Sequence, residues 1–178
     1  MKKIFYWSPY LSNVATIRNV VNSAYSLIKY DKISFRAYIL DVFGEWDIKK
    51  KELSEKKIEY LKLSNLKINL PISGFLKSRF LSILIFFSSI YPLLKLLKKE
   101  KPDYLIIHLL TSIPFSLLIF FNFKTKFILR ISGLPRLNFL RKFAWKVVSK
   151  KITLVTCPSY ETMDYIKNTK IFDEKKIV

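Results

Sequence analysis

A chain of 178 residues has room for one domain with a real core and would crowd two, because domains cluster near ~100–150 residues and a chain of this size buries roughly 70% of its surface. Hydrophobic residues make up 51%, with 15 Phe and 10 Tyr, which excludes a disordered chain; a single cysteine, Cys157, and a single histidine, His108, exclude a disulfide framework, a CxxC pair and a zinc cluster. The 32 Lys and Arg against 13 Asp and Glu leave a net charge of +19; the fitting partners are nucleic acid, phosphorylated substrates or acidic lipid, and an A+T-rich codon bias is the alternative source of the charge.

The basic start at Lys2-Lys3 is followed by too short an apolar run for a signal peptide, and Lys3 to Trp7 reads as a first strand stopped by Pro9. A cytoplasmic address is expected. Ser12 or Asn13 caps a helix whose apolar positions Val14, Ile17, Val20, Val21, Ala24 and Leu27 or Ile28 recur at helical spacing. A second strand covers Ser34 to Val42, with a turn at Gly44 beside Glu45 and Asp47. A solvated stretch from Lys49 to Lys57 follows, and a third strand covers Ile58 to Leu63.

Leu76 to Lys99 reads as a helix with a charge-free centre, Phe80 to Leu94, flanked by Lys77, Arg79, Lys95, Lys98 and Lys99. A membrane span needs ~20 apolar residues, so this stretch suits burial or a membrane interface. Tyr104 to Leu110 is a continuous apolar run of the kind a strand covered on both faces shows. Phe115 to Phe121 forms a short helix after Pro114, and Lys126 to Ile131 a further strand. A basic amphipathic helix covers Arg136 to Lys150, with Leu137, Leu140, Ala144, Val147 and Val148 on its apolar face. Ile152 to Thr156 is the last strand, and Ser159 opens the last helix with Glu161 near its positive end. Five or six alternations of strand and helix argue for an open parallel sheet with helices on both faces.

Ligands of such sheets bind beyond the carboxyl ends of the strands, so the informative residues are Asn13, Asp41 and Glu45, His108, Arg130 to Gly133, and Ser159. Only Gly44, Gly74 and Gly133 are glycines, which rules out a glycine-rich dinucleotide fingerprint and a P-loop. His108 can bind a sugar hydroxyl or shuttle a proton, or it is a core histidine tied to a backbone carbonyl. Arg130 can grip a phosphate bidentately, or it pairs with Asp41 or Glu45. Cys157 reads as a small buried thiol and Ser159 as a helix cap rather than a nucleophile.

The aromatics fall inside apolar runs such as Phe86-Phe87 and Phe120-Phe121, which points to core or lipid contact and away from nucleic acid. The basic flanks of the 77–99 helix and the basic face of the 136–151 helix favour an anionic leaflet, with a solvated basic face as the alternative. Phe80 to Leu94 and Tyr104 to Phe123 can also be drawn as a membrane hairpin; His108, Thr111-Ser112 and Pro114 stand against it.

Five pieces in order carry a family resemblance: Tyr6 to Thr16, Phe43-Gly44-Glu45-Trp46, His108 to Pro114, Arg130 to Pro135, and Cys157-Pro158-Ser159. Together they resemble the amino-terminal domain of family-4 glycosyltransferases of the GT-B architecture, used in bacterial lipopolysaccharide and surface-polysaccharide assembly. The resemblance implies a Rossmann-like domain over residues 1–178 and retaining transfer from a nucleotide-sugar donor substrate, with no metal and no further cofactor. This domain supplies the acceptor side of an interdomain cleft. Ser12 and Asn13 lie near the reacting centre, His108 contacts the donor sugar as the catalytic candidate, and Arg130, Ser132 and Gly133 line the cleft, with Glu45 as a further substrate-binding residue. The donor is held chiefly by a second domain with a paired-glutamate motif. Residues 172–178 look like the approach to an interdomain linker, so that domain is expected to be absent and the chain alone to transfer little or no sugar. The expected partners are that donor, a lipid-linked or glycan acceptor and the anionic inner face of the cell membrane, and no nucleic acid.

Overall fold

The computed structural model describes residues 1–11, 15–30, 34–68 and 75–178. Among them run β1 (Lys2–Trp7), α1 (Ala15–Tyr30), β2 (Phe35–Asp41), α2 (Lys50–Glu55), β3 (Glu59–Lys62) and α3 (Phe75–Glu100). β4 (Tyr104–Ile107), α4 (Ser112–Phe120), β5 (Lys126–Arg130), α5 (Phe139–Val148), β6 (Ile152–Thr156) and α6 (Tyr160–Asn168) follow. The strands form one sheet in the order β3-β2-β1-β4-β5-β6, and all its pairings are parallel. The strand order reverses between β1 and β4, which opens a crevice at the carboxyl ends there.

The two-residue period of the strands sorts the core into two layers. Ile4 and Tyr6 of β1, Ala37 and Ile39 of β2 and Ile106 of β4 pack under Ile17, Val20, Val21 and Ala24 of α1 and Leu53 of α2. Phe5 and Trp7, Tyr38 and Leu40, Leu105 and Ile107, and Phe127 and Leu129 face the other way. There they meet Ile85, Leu93 and Leu97 of α3, Ile113 to Leu118 of α4, and Trp145 and Val148 of α5. Both faces of the central strands are dry, which is why Tyr104 to Ile107 reads as an unbroken apolar run. Burying each large side chain fully contributes roughly 1.5–3 kcal/mol.

The expected open α/β sheet is the observed one, with local differences. The stretch read as solvated at 49–57 contains α2, because Leu53 is fully buried under α1 and Glu52 is bridged by Lys49 at 2.8 Å and Lys56 at 2.9 Å. β4 stops at Ile107, short of Leu110, since Leu110 takes a left-handed φ of 47°. α4 begins at Ser112 rather than Phe115, with Pro114 inside its first turn, where a missing N–H costs nothing. α5 starts at Phe139, capped by Asn138, whose Oδ1 accepts from Arg141 N at 2.9 Å. Ser159 caps α6 as expected, accepting from Thr162 N at 3.3 Å. Cys157 is half-buried, and desolvation raises its thiol pKa.

The apolar face of α5 is only partly the expected one. Val148 is buried as expected and Leu137 packs against the core, whereas Leu140 and Val147 are exposed and Trp145, outside the expected face, turns inward. The second limb of the alternative membrane hairpin does not form either: residues 104–123 hold β4, paired on both sides, and α4. Arg79–Glu100 is long and apolar enough, by length and composition alone, to cross a membrane, but Ile85, Ser89, Leu93 and Leu97 form a buried stripe against the sheet.

Some of the positive charge is absorbed internally at helix ends, where carbonyls lack partners. Lys151 Nζ donates to Leu118 O at 2.5 Å and Phe121 O at 3.2 Å, closing α4. Lys176 Nζ donates to Ser149 O at 3.2 Å and Ile152 O at 2.8 Å.

Candidate functional site

Strand β4 delivers His108 to the carboxyl edge, and His108 N donates to Trp7 O at 2.9 Å, tying β4 to β1 across the crevice. The chain then turns through Leu110, whose left-handed backbone costs a residue with a Cβ roughly 1–2 kcal/mol. Trp7 Nε1 donates to Leu110 O at 3.3 Å and holds that turn down. The result is a loop, His108 to Thr111, that leads straight into the amino end of α4. One strand further out, β5 ends at Arg130, and Ser132 to Pro135 lead to the Asn138 cap of α5.

Between these two loops and the first turns of α4 and α5 lies a cavity of about 620 Å³. Its polar lining is His108, Thr111, Ser112, Ser116, Arg130 and Ser132, with Asn138 and Arg141 from α5; Leu134, Leu140, Ile119 and Trp145 supply apolar wall. Volumes of this order hold small ligands. Two helix amino ends and two guanidinium groups make the cavity electropositive, which favours an anion.

The state of His108 is set by burial. The residue is 5% exposed, and among the described residues neither ring nitrogen has a hydrogen-bond partner. Burial, followed by the nearby charge of Arg130, pushes its pKa down to about 3. The imidazole is therefore neutral, carrying one N–H donor and one acceptor lone pair, in tilted contact with the Tyr6 ring at 6.0 Å. Among the described residues no backbone carbonyl accepts from it, unlike the alternative of a core histidine tied to one. Ser8 follows Trp7 as His108 follows Ile107 in the β1–β4 register, and its fully buried hydroxyl likewise has no partner among the described residues.

Arg130 is half-buried, and among the described residues no carboxylate lies within 4.0 Å of it. The alternative partners are occupied elsewhere: Asp41 Oδ1 accepts from Gly44 N at 2.9 Å, and the Glu45 carboxyl accepts from Val42 N at 3.0 Å and Phe43 N at 2.8 Å. Ser132 and Gly133 are exposed at the mouth. A Cβ at Gly133 would meet nothing within 4 Å, so packing does not demand glycine there.

Glu45 stands apart from this group. It is buried and folded back on its own turn, its backbone carbonyl accepting from the Tyr10 hydroxyl, and it does not line the cavity. Burial, then the neighbouring Asp41, pushes its pKa up to about 9, so near neutrality it holds a proton. Its visible work is to shape the turn after β2. Ser12 and Asn13 lie outside the described residues. The structure therefore brings together His108, Arg130, Ser132 and Gly133. Asn138, Arg141, Ser116 and Ser8 were not singled out from sequence; the Asn138 cap signal was readable, its place at a cavity rim was not. Among the described residues no group of three or more His, Cys, Asp or Glu can hold a metal ion.

The sequence matches no protein-family model, and no curated protein matches it significantly. Solved structures do match. The UDP-GlcNAc 2-epimerase of Neisseria meningitidis, bound to UDP-GlcNAc, superposes with a TM-score of 0.63 at 16% identity, over 100% of this chain and 46% of that one. A glycosyltransferase from Rickettsia africae gives 0.62 at 18% identity, covering 99% and 42%. A lipopolysaccharide outer core galactosyltransferase gives 0.60 at 15%, covering 100% and 44%. The chain thus spans less than half the length of each of these proteins. At these identities the likeness is one of fold, and the fold is the Rossmann-like half of a GT-B architecture.

Proposed function

We propose that the chain is the acceptor-side half of a retaining family-4 glycosyltransferase, moving a sugar from a nucleotide-sugar to a lipid-linked or polysaccharide acceptor in bacterial surface-glycan synthesis. The observation that carries this reading is His108, neutral, buried and, among the described residues, without a partner on either ring nitrogen, beside an Arg130 with no described carboxylate in a cavity at the strand ends. A sugar hydroxyl both donates and accepts, so it complements a neutral imidazole. Arg130 and the helix amino ends favour a phosphate, and the bare backbone at Ser132-Gly133 leaves room for a sugar ring to approach. Ser12 and Asn13 complete the site from the first loop in this reading, and Glu45 serves it from behind by holding the turn after β2.

The donor nucleotide is held mainly by a second domain beyond these 178 residues, no metal or cofactor takes part, and the reaction sits at the inner face of the cell membrane. The test is to express the chain with a candidate donor-binding half and assay transfer from nucleotide-sugars. Transfer that His108→Phe abolishes supports the reading. A folded pair that transfers no sugar from any nucleotide-sugar defeats it. A second reading, a noncatalytic membrane-surface binding module, is favoured by the exposed apolar side of α3; there, vesicle binding persists with no transfer in any pairing.

A further inference from the structure

At its carboxyl edge the sheet ends in a polar row. The pairings Trp7 with Ile107, Ile107 with Leu129 and Arg130 with Thr156 put Ser8, His108, Arg130 and Thr156 at one level on the neighbouring strands β1, β4, β5 and β6. All four face the α1 side, because side chains alternate along a strand. Their chain neighbours Trp7, Ile107, Leu129 and Val155 pack in the layer under α3, α4 and α5, while Tyr6, Tyr10 and Ile106, two positions from Ser8 or His108, pack in the layer under α1. The Tyr6 ring lies 6.0 Å from that of His108, and the charge of Arg130 acts on both the Tyr6 hydroxyl and His108.

This row is where the molecule leaves polar atoms unsatisfied. Among the described residues six buried side-chain nitrogens and oxygens have no hydrogen-bond partner, and four of the six are Ser8 Oγ, His108 Nδ1, His108 Nε2 and Thr156 Oγ1. The other two are Asp41 Oδ2, one strand further along the same level and beside the Glu45 carboxyl, and Trp46 Nε1. Each orphan costs stability that an apolar side chain of the same shape would not, so four in one row point to a ligand as their partner. Exposure is graded along the row: Ser8 is fully buried, His108 nearly so, and Arg130 and Thr156 are half-buried. A ligand therefore enters over β6 and β5 and stops at His108, with Ser8 behind it and out of reach.

The row carries one uncompensated cation. At its β3 end Lys62 is bridged to Asp47 at 3.2 Å. Asp41 lies three strands from Arg130, its Oδ1 taken by Gly44 N at 2.9 Å. His108 is neutral, and among the described residues Arg130 has no carboxylate within 4.0 Å. A guanidinium fork matches a planar carboxylate with two parallel hydrogen bonds. A carboxylate also brings a single negative charge, where a phosphate monoester brings nearly two. The Thr156 hydroxyl and the His108 imidazole each donate and accept, as sugar hydroxyls do. His108, Arg130 and Thr156 span two strand spacings, about 10 Å, which one sugar ring with its carboxylate fills.

We propose that this row recognises a sugar acid: Arg130 takes its carboxylate, Thr156 and His108 take ring hydroxyls, and Ser8 is a positioning residue for His108. The Ser8 hydroxyl, one strand behind, holds the ring nitrogen turned away from the ligand and so fixes which nitrogen carries the proton. This rests on the acceptor-side reading above and narrows the acceptor to a glycan that presents an acidic sugar.

His108 is the only histidine of the chain, so its imidazole NMR signals report on the row directly. The full chain is titrated with glucuronate and galacturonate, with glucose and galactose as neutral counterparts, and with glucose 6-phosphate. At least one uronate should saturate the His108 shift about tenfold or more below its neutral counterpart and below glucose 6-phosphate. Equal saturation by uronate and neutral sugar, tighter binding of the phosphate, or no shift with either uronate overturns the sugar-acid site. Thr156→Val keeps the side-chain shape and breaks no existing hydrogen bond of that hydroxyl, so it should not lower the melting temperature, yet it should weaken uronate binding about tenfold; full affinity removes Thr156 from the site. Arg130→Met should erase the preference for uronate over neutral sugar, and a preference that survives it overturns the carboxylate contact. With uronate bound, the nitrogen-15 shifts of wild-type His108 should report one tautomer and those of Ser8→Ala a mixture of two, with weaker binding. A single tautomer in both proteins overturns the role of Ser8. None of these readouts uses sugar transfer, so uronate binding without transfer in any pairing defeats the transferase reading alone, and transfer without uronate binding defeats the sugar-acid site alone.

Discussion

Replacing His108 by Phe should stabilise the protein while removing its function. The imidazole is 5% exposed with both nitrogens unpartnered among the described residues, and an unsatisfied buried polar group costs about 1–3 kcal/mol. Phenylalanine keeps the ring against Tyr6, and its extra edge has the neighbouring cavity to grow into. A net gain of about 1 kcal/mol at neutral pH follows, or ~2–4 °C in Tm.

Acid enlarges the effect. The folded pKa of about 3 lies below the ordinary value of 6.5, so the unfolded chain takes up the proton first. The stability that neutral His108 allows is full above pH 6.5 and is lost as pH falls toward 3; by pH 4 the loss is about 3 kcal/mol. Phenylalanine removes that loss, so the gap between variant and wild type should widen from about 1 kcal/mol at pH 7 to about 4 at pH 4. Glu45 has the opposite slope and is common to both proteins, so the difference curve isolates His108. Urea denaturation followed by tryptophan fluorescence across that range measures it. A folded variant that is less stable than wild type at pH 7, or a difference that does not change with pH, would refute the account of His108 as a buried, unpartnered neutral ring.

Glu45→Ala leaves the buried N–H groups of Val42 and Phe43 without their acceptor and should cost about 2–4 kcal/mol in urea titrations. In wild type the raised pKa of Glu45, about 9 against 4.5, contributes stability present below pH 4.5 and lost as pH rises through 9; the variant should lack that fall. Gly133→Ala should leave Tm unchanged, because its Cβ meets nothing, yet weaken transfer at least about tenfold in a reconstituted enzyme if a ligand lies on that backbone. Arg130→Met breaks no ion pair and should change stability by no more than ~0.5 kcal/mol, while phosphate affinity, read by Trp145 fluorescence, drops about tenfold. Lys101 holds a left-handed φ of 44° just past α3 while its N–H donates to Leu97 O; Lys101→Gly should raise stability by about 1 kcal/mol, seen as a higher urea midpoint.

Strand and helix order, the helix cap at Ser159 and the apolar run of β4 were all readable from residue pattern. Each depends on neighbours a few positions apart and on strands covered on both faces, which local sequence records directly. Where α5 puts its apolar residues was not readable. Leu140, Val147, Trp145 and Val148 outline two overlapping faces, and the bulk of Trp145 packed against Phe115 and Phe172 chooses between them. The same holds for Glu45, which resembled a cleft residue because it follows a strand, and instead turns back to satisfy its own backbone.

By itself the sequence determined a parallel α/β sheet, its strong positive charge and which loops gather at its carboxyl edge. Only the tertiary structure decided that, among the described residues, His108 is buried without a partner and Arg130 has no carboxylate, and that α3 and α5 leave apolar side chains exposed. The physical reason is that burial and pairing are relations between segments distant in the chain, such as β4 with β1. No window of local sequence contains both members of such a relation.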